Sequence, residues 1–156
     1  KYGHYDLNYF LEGSNISLIR NGQKIKVEII DVDPIIDIAL LRADINVEPF
    51  QLDTISIIGE DIIAIGSPHG YENNVSTGTI GSLNRKIYFY KNAPGYMFVD
   101  LSIFPGSSGG PIIKVSNGRV TGMITLIVSG QGEYGLNAAL SGNYIEEFCK
   151  RYIKGF

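Results

Sequence analysis

An all-β fold is predicted for this chain of 156 residues by three observations: short β-branched runs broken by turn residues about every eight to twelve positions, 19 glycines, and helical apolar spacing only at the C-terminal end. The first element is a hairpin, because residues 15–20 and 24–31 flank Asn21-Gly22, a dipeptide that tolerates positive φ at both centres of a type I′ turn. In its second strand Ile25, Val27 and Ile29 face one way while Lys24, Lys26 and Glu28 face the other. Further strands are predicted at 37–42, 61–65, 77–83, 97–102, 111–115, 119–128 and 136–140, separated by loops carrying Gly, Pro, Asn and Ser. Residues 46–59 have weaker periodicity and two acidic breaks, Glu48 and Asp53, and are read as the link between two sub-structures. At the end Tyr144, Ile145, Phe148, Cys149 and Tyr152 recur at helical spacing, with Asn143 as N-cap. Glu146 and Glu147 in the first turn of this helix, and Lys150, Arg151 and Lys154 in its last, suit the helix dipole.

The composition narrows the classes of function. A chain with 44% hydrophobic and 19% charged residues can bury a real core but is short for several independent domains. Thirteen basic against 16 acidic residues leave a net charge of -3 with no basic stripe, so nucleic acid is not expected as a partner. Cys149 is the only cysteine, which rules out an intramolecular disulfide framework. No run approaches the roughly 20 consecutive apolar residues of a membrane-spanning helix, and the opening Lys1-Tyr2-Gly3-His4 is not followed by a signal-peptide core.

Chemistry concentrates in Asp100-Leu101-Ser102-Ile103-Phe104-Pro105-Gly106-Ser107-Ser108-Gly109-Gly110-Pro111, a glycine-rich turn between two apolar strands. Gly106, Gly109 and Gly110 allow backbone angles closed to other residues, so the amides of Gly106 and Ser108 can converge beside the Ser108 hydroxyl as an oxyanion hole. A serine hydroxyl is a weak nucleophile at neutral pH and requires a base and a group that orients the base. The chain has two histidines. His69 lies in the turn Gly66-Ser67-Pro68-His69-Gly70, where a structural role is expected, and His4 is the other candidate for the base. Asp33-Pro34-Ile35-Ile36-Asp37-Ile38-Ala39-Leu40-Leu41-Arg42 supplies an aspartate, Asp37, opening an apolar strand, where a buried carboxylate is expected. The order His4, Asp37, Ser108 is that of the chymotrypsin arrangement.

Gly-Ser-Ser-Gly-Gly-Pro resembles the turn around the nucleophile of trypsin-like serine peptidases, and the preceding Asp-Leu-Ser-Ile-Phe-Pro is most similar to the HtrA/Deg branch. Asp37 resembles the aspartate of that family's D-[IL]-A-L-L strand, and His4 likewise follows a small residue and precedes a short turn. Ala64-Ile65-Gly66-Ser67-Pro68-His69-Gly70 and Thr77-Gly78-Thr79-Ile80-Gly81-Ser82 are similar to strands opening the second barrel. In the family the place of His69 is usually held by phenylalanine.

The resemblance implies two Greek-key β-barrels, the first incomplete at its N-terminus, and a C-terminal helix. Residues 1–55 would be the remainder of the N-terminal barrel, 56–142 the C-terminal barrel and 143–154 the helix. It implies a serine endopeptidase acting on protein or peptide substrates through His4, Asp37 and Ser108, with Gly106, Ser107 and Ser108 forming the oxyanion hole. No metal or organic cofactor is implied. Ser102 and Ile103 would lie near the floor of the pocket for the residue before the cut, and Thr125, Leu126 and Ile127 along one wall. With no acidic residue on that floor, small or medium aliphatic residues are the expected preference. The family's first barrel has about three strands before its histidine, where this sequence has three residues. A fragment of a longer protein is therefore expected, inactive without upstream strands if they are needed. The rival readings are a catalytically silent relative that binds peptides and a viral or glutamyl-type peptidase on the same fold.

Overall fold

The computed structural model describes residues 16–71, 73–87, 93–130 and 133–154, and their side chains outside 126–136. The chain divides into two compact units, Lys1–Glu48 and Pro49–Phe156.

In the first unit, β1 (Ser17–Arg20), β2 (Gln23–Asp33) and β3 (Ile38–Ala43) form an antiparallel sheet in that order. Arg20 pairs with Gln23, and both residues between them have positive φ, 50° at Asn21 and 75° at Gly22, as the type I′ turn requires. The alternation in β2 is the expected one, with Ile25, Val27 and Ile29 partly buried and Lys24, Lys26 and Glu28 exposed. A bulge between Ile29 and Asp31 extends the strand beyond its predicted end, to Asp33. Asp33 then organises the return: its Oδ1 accepts from the amides of Ile35 (2.9 Å) and Ile36 (3.3 Å). Asp37 closes the turn at φ 56°, a left-handed conformation that aspartate tolerates better than most residues, and delivers the buried Ile38 into β3.

In the second unit a closed barrel is built from β4 (Asp61–Gly66), β5 (Asn74–Arg85), β6 (Tyr96–Asp100), β7 (Pro111–Lys114), β8 (Val120–Gly130) and β9 (Glu133–Ser141), ordered β4-β5-β6-β9-β8-β7. Its interior is filled by Ile62, Ala64, Ile80, Met97, Val99, Ile112, Ile124 and Ala139 from the strands, joined by Leu101 and Ile103 from the β6–β7 loop. Register shifts in β5 after Ile80 and in β8 after Ile124 bend these long strands around the barrel. Both β5 and β9 run past their predicted ends into polar residues. Backbone pairing such as Gly66 with Asn74 extends them independently of side-chain hydrophobicity.

The C-terminal helix is displaced from its predicted span. Helix α1 is Gly142–Cys149, preceded by Ser141 as N-cap, so Asn143 is inside it and no acidic residue lies in its first turn. The Ser141 hydroxyl bonds Asn143 Oδ1 at 2.6 Å, so the asparagine side chain engages the cap residue. Lys150 is the C-cap, and the chain after it leaves the helix. Phe148 and Cys149 form the buried side.

The segment after Pro49 packs on the barrel. Val120 exchanges backbone hydrogen bonds with Gln51 and Asp53. Beside it the Lys114 ammonium, 4% exposed, meets Asp53 Oδ2 at 3.1 Å, Glu60 Oε2 at 3.0 Å and the Ile55 carbonyl. The two carboxylates are ion-paired with the ammonium, and the Ile55 carbonyl accepts a hydrogen bond from it. Asn117 Nδ2 (3.1 Å) and the Ile55 amide (3.0 Å) complete the shell of Asp53.

Candidate active site

The loop carrying Ser108 is two consecutive turns of the same type. Phe104-Pro105-Gly106-Ser107 is closed by Ser107 N–H donating to Phe104 O (3.1 Å), with Gly106 at φ 100°. Ser107-Ser108-Gly109-Gly110 is closed by Gly110 N–H donating to Ser107 O (3.0 Å), with Gly109 at φ 86°. Proline second and glycine third is the type II sequence, and glycine again holds the left-handed place in the second turn. Ser108 therefore stands at the corner of a turn, exposed, while Ser107 is 6% exposed beneath it.

The amides of Ser107, Gly109 and Gly110 are all engaged, Gly109 with Ile124 O at 2.7 Å. Those of Gly106 and Ser108 make no hydrogen bond among the described residues. A concavity of about 180 Å³ opens beside them, lined by Ile65, Gly66, Ser67, Asn73, Gly106, Ser107, Ser108 and Gly110. The three residues expected from sequence to form an oxyanion hole are thus brought together around one cavity.

Sequence reading missed what supports this turn from outside. The Ser67–His69 segment lies against it: His69 N–H donates to Pro105 O (3.1 Å), and a Cβ at Gly106 would stand 2.8 Å from Ser67 O. The His69 side chain is exposed on a left-handed backbone (φ 51°), as a structural turn residue would be. Gly110 is pressed on Ile65: a Cβ there would collide with the Ile65 carbonyl oxygen and lie 2.9 Å from Ser107 O, both backbone atoms. Only the abundance of glycine on both segments hinted at so close an approach.

This packing makes a prediction. Gly110→Ala is expected to slow acylation of Ser108 by a serine-directed probe by about 10²-fold or more, the cost of a misplaced oxyanion donor. Gly109→Ala meets no atom within 4 Å, and only backbone strain opposes it. Equal labelling rates in Gly110→Ala and the parent would show that the turn does not depend on its seat against β4.

Of the predicted pocket residues, Ser102 and Ile103 meet Ser107, Ser76 and Ile124 around a cavity of about 10 Å³. Ser102 is exposed and Ile103 is 9% exposed. Thr125 is buried, its hydroxyl donating to Ala138 O at 3.1 Å. The side chains of Leu126 and Ile127 are outside the described residues, as is His4. Asp37 is exposed rather than buried, because it ends the short turn at the edge of the first sheet. Among the described residues no group of three or more His, Cys, Asp or Glu is placed to hold a metal ion.

Residues 10–123 match the family model of the trypsin-like peptidase domain. The chain belongs to this trypsin-like peptidase family. Among curated relatives it is 35% identical over 120 residues to a DegP-like periplasmic serine endoprotease of Chlamydia trachomatis, which covers 74% of this chain and 24% of that protein. It is 24% identical over 157 residues to the periplasmic serine endoprotease DegP of Salmonella typhimurium, covering 94% of the chain and 32% of the relative. The HtrA-type protease AlgW with a decapeptide superposes with a TM-score of 0.77 at 26% identity, over 87% of this chain and 43% of that one. The chain thus spans about a quarter to a third of the curated relatives' length and places itself in the HtrA branch of the trypsin-like family.

Proposed function

We propose that this trypsin-like domain is the catalytic part of a serine endopeptidase. In this reading Ser108 attacks a peptide carbonyl, His4 takes the hydroxyl proton and later returns one to the leaving amine, and Asp37 holds the imidazole in the required tautomer. These are the general roles of the Ser-His-Asp triad. The observation that carries the proposal is the pair of type II turns, which leaves Ser108 exposed and the Gly106 and Ser108 amides without an acceptor among the described residues. An oxyanion forming in the adjoining cavity would accept both, and Ser107 shapes the turn from below. The extents proposed for the two barrels are 1–55 for the remainder of the first and 56–142 for the second, followed by the helix Gly142–Cys149.

The substrate class is a protein or peptide, cleaved after small or medium aliphatic residues. The absence of an acidic side chain at Ser102 and Ile103, the proposed pocket floor, supports that preference. Thr125, Leu126 and Ile127 would form its wall.

Incubation with a fluorophosphonate is expected to give one adduct, on Ser108, that is lost in Ser108→Ala and His4→Ala. The intact mass and the labelled peptide report it. A folded protein that forms no adduct yet binds peptides would be a catalytically silent relative and would refute the peptidase reading.

A further inference from the structure

The segment entering the nucleophile loop is held by side chains that continue a sheet after its backbone pairing has ended. Strand β6 lies between β5 and β9, and its last pairs are Asp100 with Thr79 on one side and Val99 with Asn137 on the other. Beyond them, successive carbonyls of an extended chain still point alternately to the two sides. Leu101 O accepts from the Asn137 side-chain amide on β9, and Ser102 O accepts from the Ser76 hydroxyl on β5 at 2.9 Å. One residue earlier, Asp100 O occupies the space that a Cβ at Gly78 would need. Asn137 is 7% exposed, so its amide has given up water for this bond.

We infer that Ser76 and Asn137 are positioning residues that fix the Leu101–Ile103 backbone, and through it the floor of the pocket that selects the residue before the cut. This inference rests on the peptidase reading for its substrate consequence, while the clamp itself is a structural claim. Leu101 and Ile103 stay buried and Ser102 exposed, as in a continued strand, while the two side chains pair the Leu101 and Ser102 carbonyls where the backbone ladder has ended. Ser76 and Ser102 also line the small cavity that contains Ser107, so the clamp continues to the residue beneath the nucleophile.

The test uses the whole protein with Ser76→Ala, Ser76→Thr and Asn137→Asp, each checked for folding by its melting curve. Hydrogen–deuterium exchange is expected to be about fivefold to tenfold faster within residues 101–107 in Ser76→Ala and Asn137→Asp, the equivalent of about one lost hydrogen bond. Ser76→Thr keeps the hydroxyl and should match the parent. On peptides differing only before the scissile bond, KM is expected to rise and discrimination between valine and phenylalanine to fall by a similar factor. The kcat for the preferred peptide should change far less.

Unchanged exchange in folded Ser76→Ala and Asn137→Asp would overturn the clamp whatever the kinetics. Faster exchange with unchanged discrimination would overturn the positioning role. Faster exchange in a protein whose parent neither labels nor hydrolyses would support the clamp and refute the peptidase reading. Should Asn137→Asp fail to fold, the contrast between Ser76→Ala and Ser76→Thr decides the matter.

Discussion

Ser108→Ala is expected to lower peptide turnover by about 10⁶-fold while leaving the melting temperature within a degree or two of the parent, the kinetic scale being that of removing the nucleophile from a comparable triad. The two halves of this expectation have separate causes. Ser108 is exposed at the corner of a turn closed by Ser107 and Gly110 backbone groups, so its hydroxyl contributes little to packing. In the proposed mechanism the chemistry depends on that hydroxyl, because the remaining oxyanion donors would retain only the catalysis available without a nucleophile. Turnover in Ser108→Ala at more than a hundredth of the parent rate would remove Ser108 from the mechanism. Steady-state kinetics on a quenched peptide, with active sites counted by adduct mass, make the measurement.

Lys114→Met is expected to destabilise the fold by about 3–5 kcal/mol, the usual cost of leaving buried charge without its partner. For a chain of this length that is a fall of roughly 6–20 °C in melting temperature. The cause is local: Asp53 and Glu60 would keep their carboxylates beside a methionine where the ammonium stood at 3.1 and 3.0 Å. Adding Asp53→Asn and Glu60→Gln should recover most of the loss. A triple variant as unstable as Lys114→Met would mean that packing of the lysine stem, rather than its charge, matters.

The same cluster sets a pH dependence. Burial pushes the Asp53 carboxyl upward, but the Ile55 amide, Lys114 and Asn117 together outweigh it and hold the group below the usual carboxylate value. Its stabilisation is present above the unfolded pKa and is lost as pH falls through the lower folded value, below about pH 4. Burial pushes Lys114 downward, but Glu60 and Asp53 outweigh it and hold the ammonium above its usual value. That contribution is present below the unfolded pKa and is lost as pH rises through the higher folded value, above about pH 10. Asp53→Asn should therefore flatten the acid limb of a stability-against-pH curve.

Local features of the fold were legible because local rules governed them. Asn21-Gly22 demanded a type I′ turn whatever surrounded it, and the alternation of Ile25, Val27 and Ile29 assigned the faces of β2. The helix start was misplaced because Ser141 and Asn143 are both good caps, and the choice fell to the end of β9: Ser141 pairs with Gly122, and Gly142 follows it as a helical residue packed against Asp53 O and Thr121 O.

By itself the sequence determined the strand-rich class, the first hairpin, the glycine turn around Ser108 and the family resemblance, since each depends on residues close together in the chain. Only the tertiary structure decided that Gly110 seats on Ile65, that Lys114 gathers Asp53 and Glu60, and that Asn137 and Ser76 hold Leu101 and Ser102. The reason is one of range. A turn is selected by the backbone angles its own residues permit, whereas a buried amide or ammonium finds its partner only after barrel closure has brought distant strands into register.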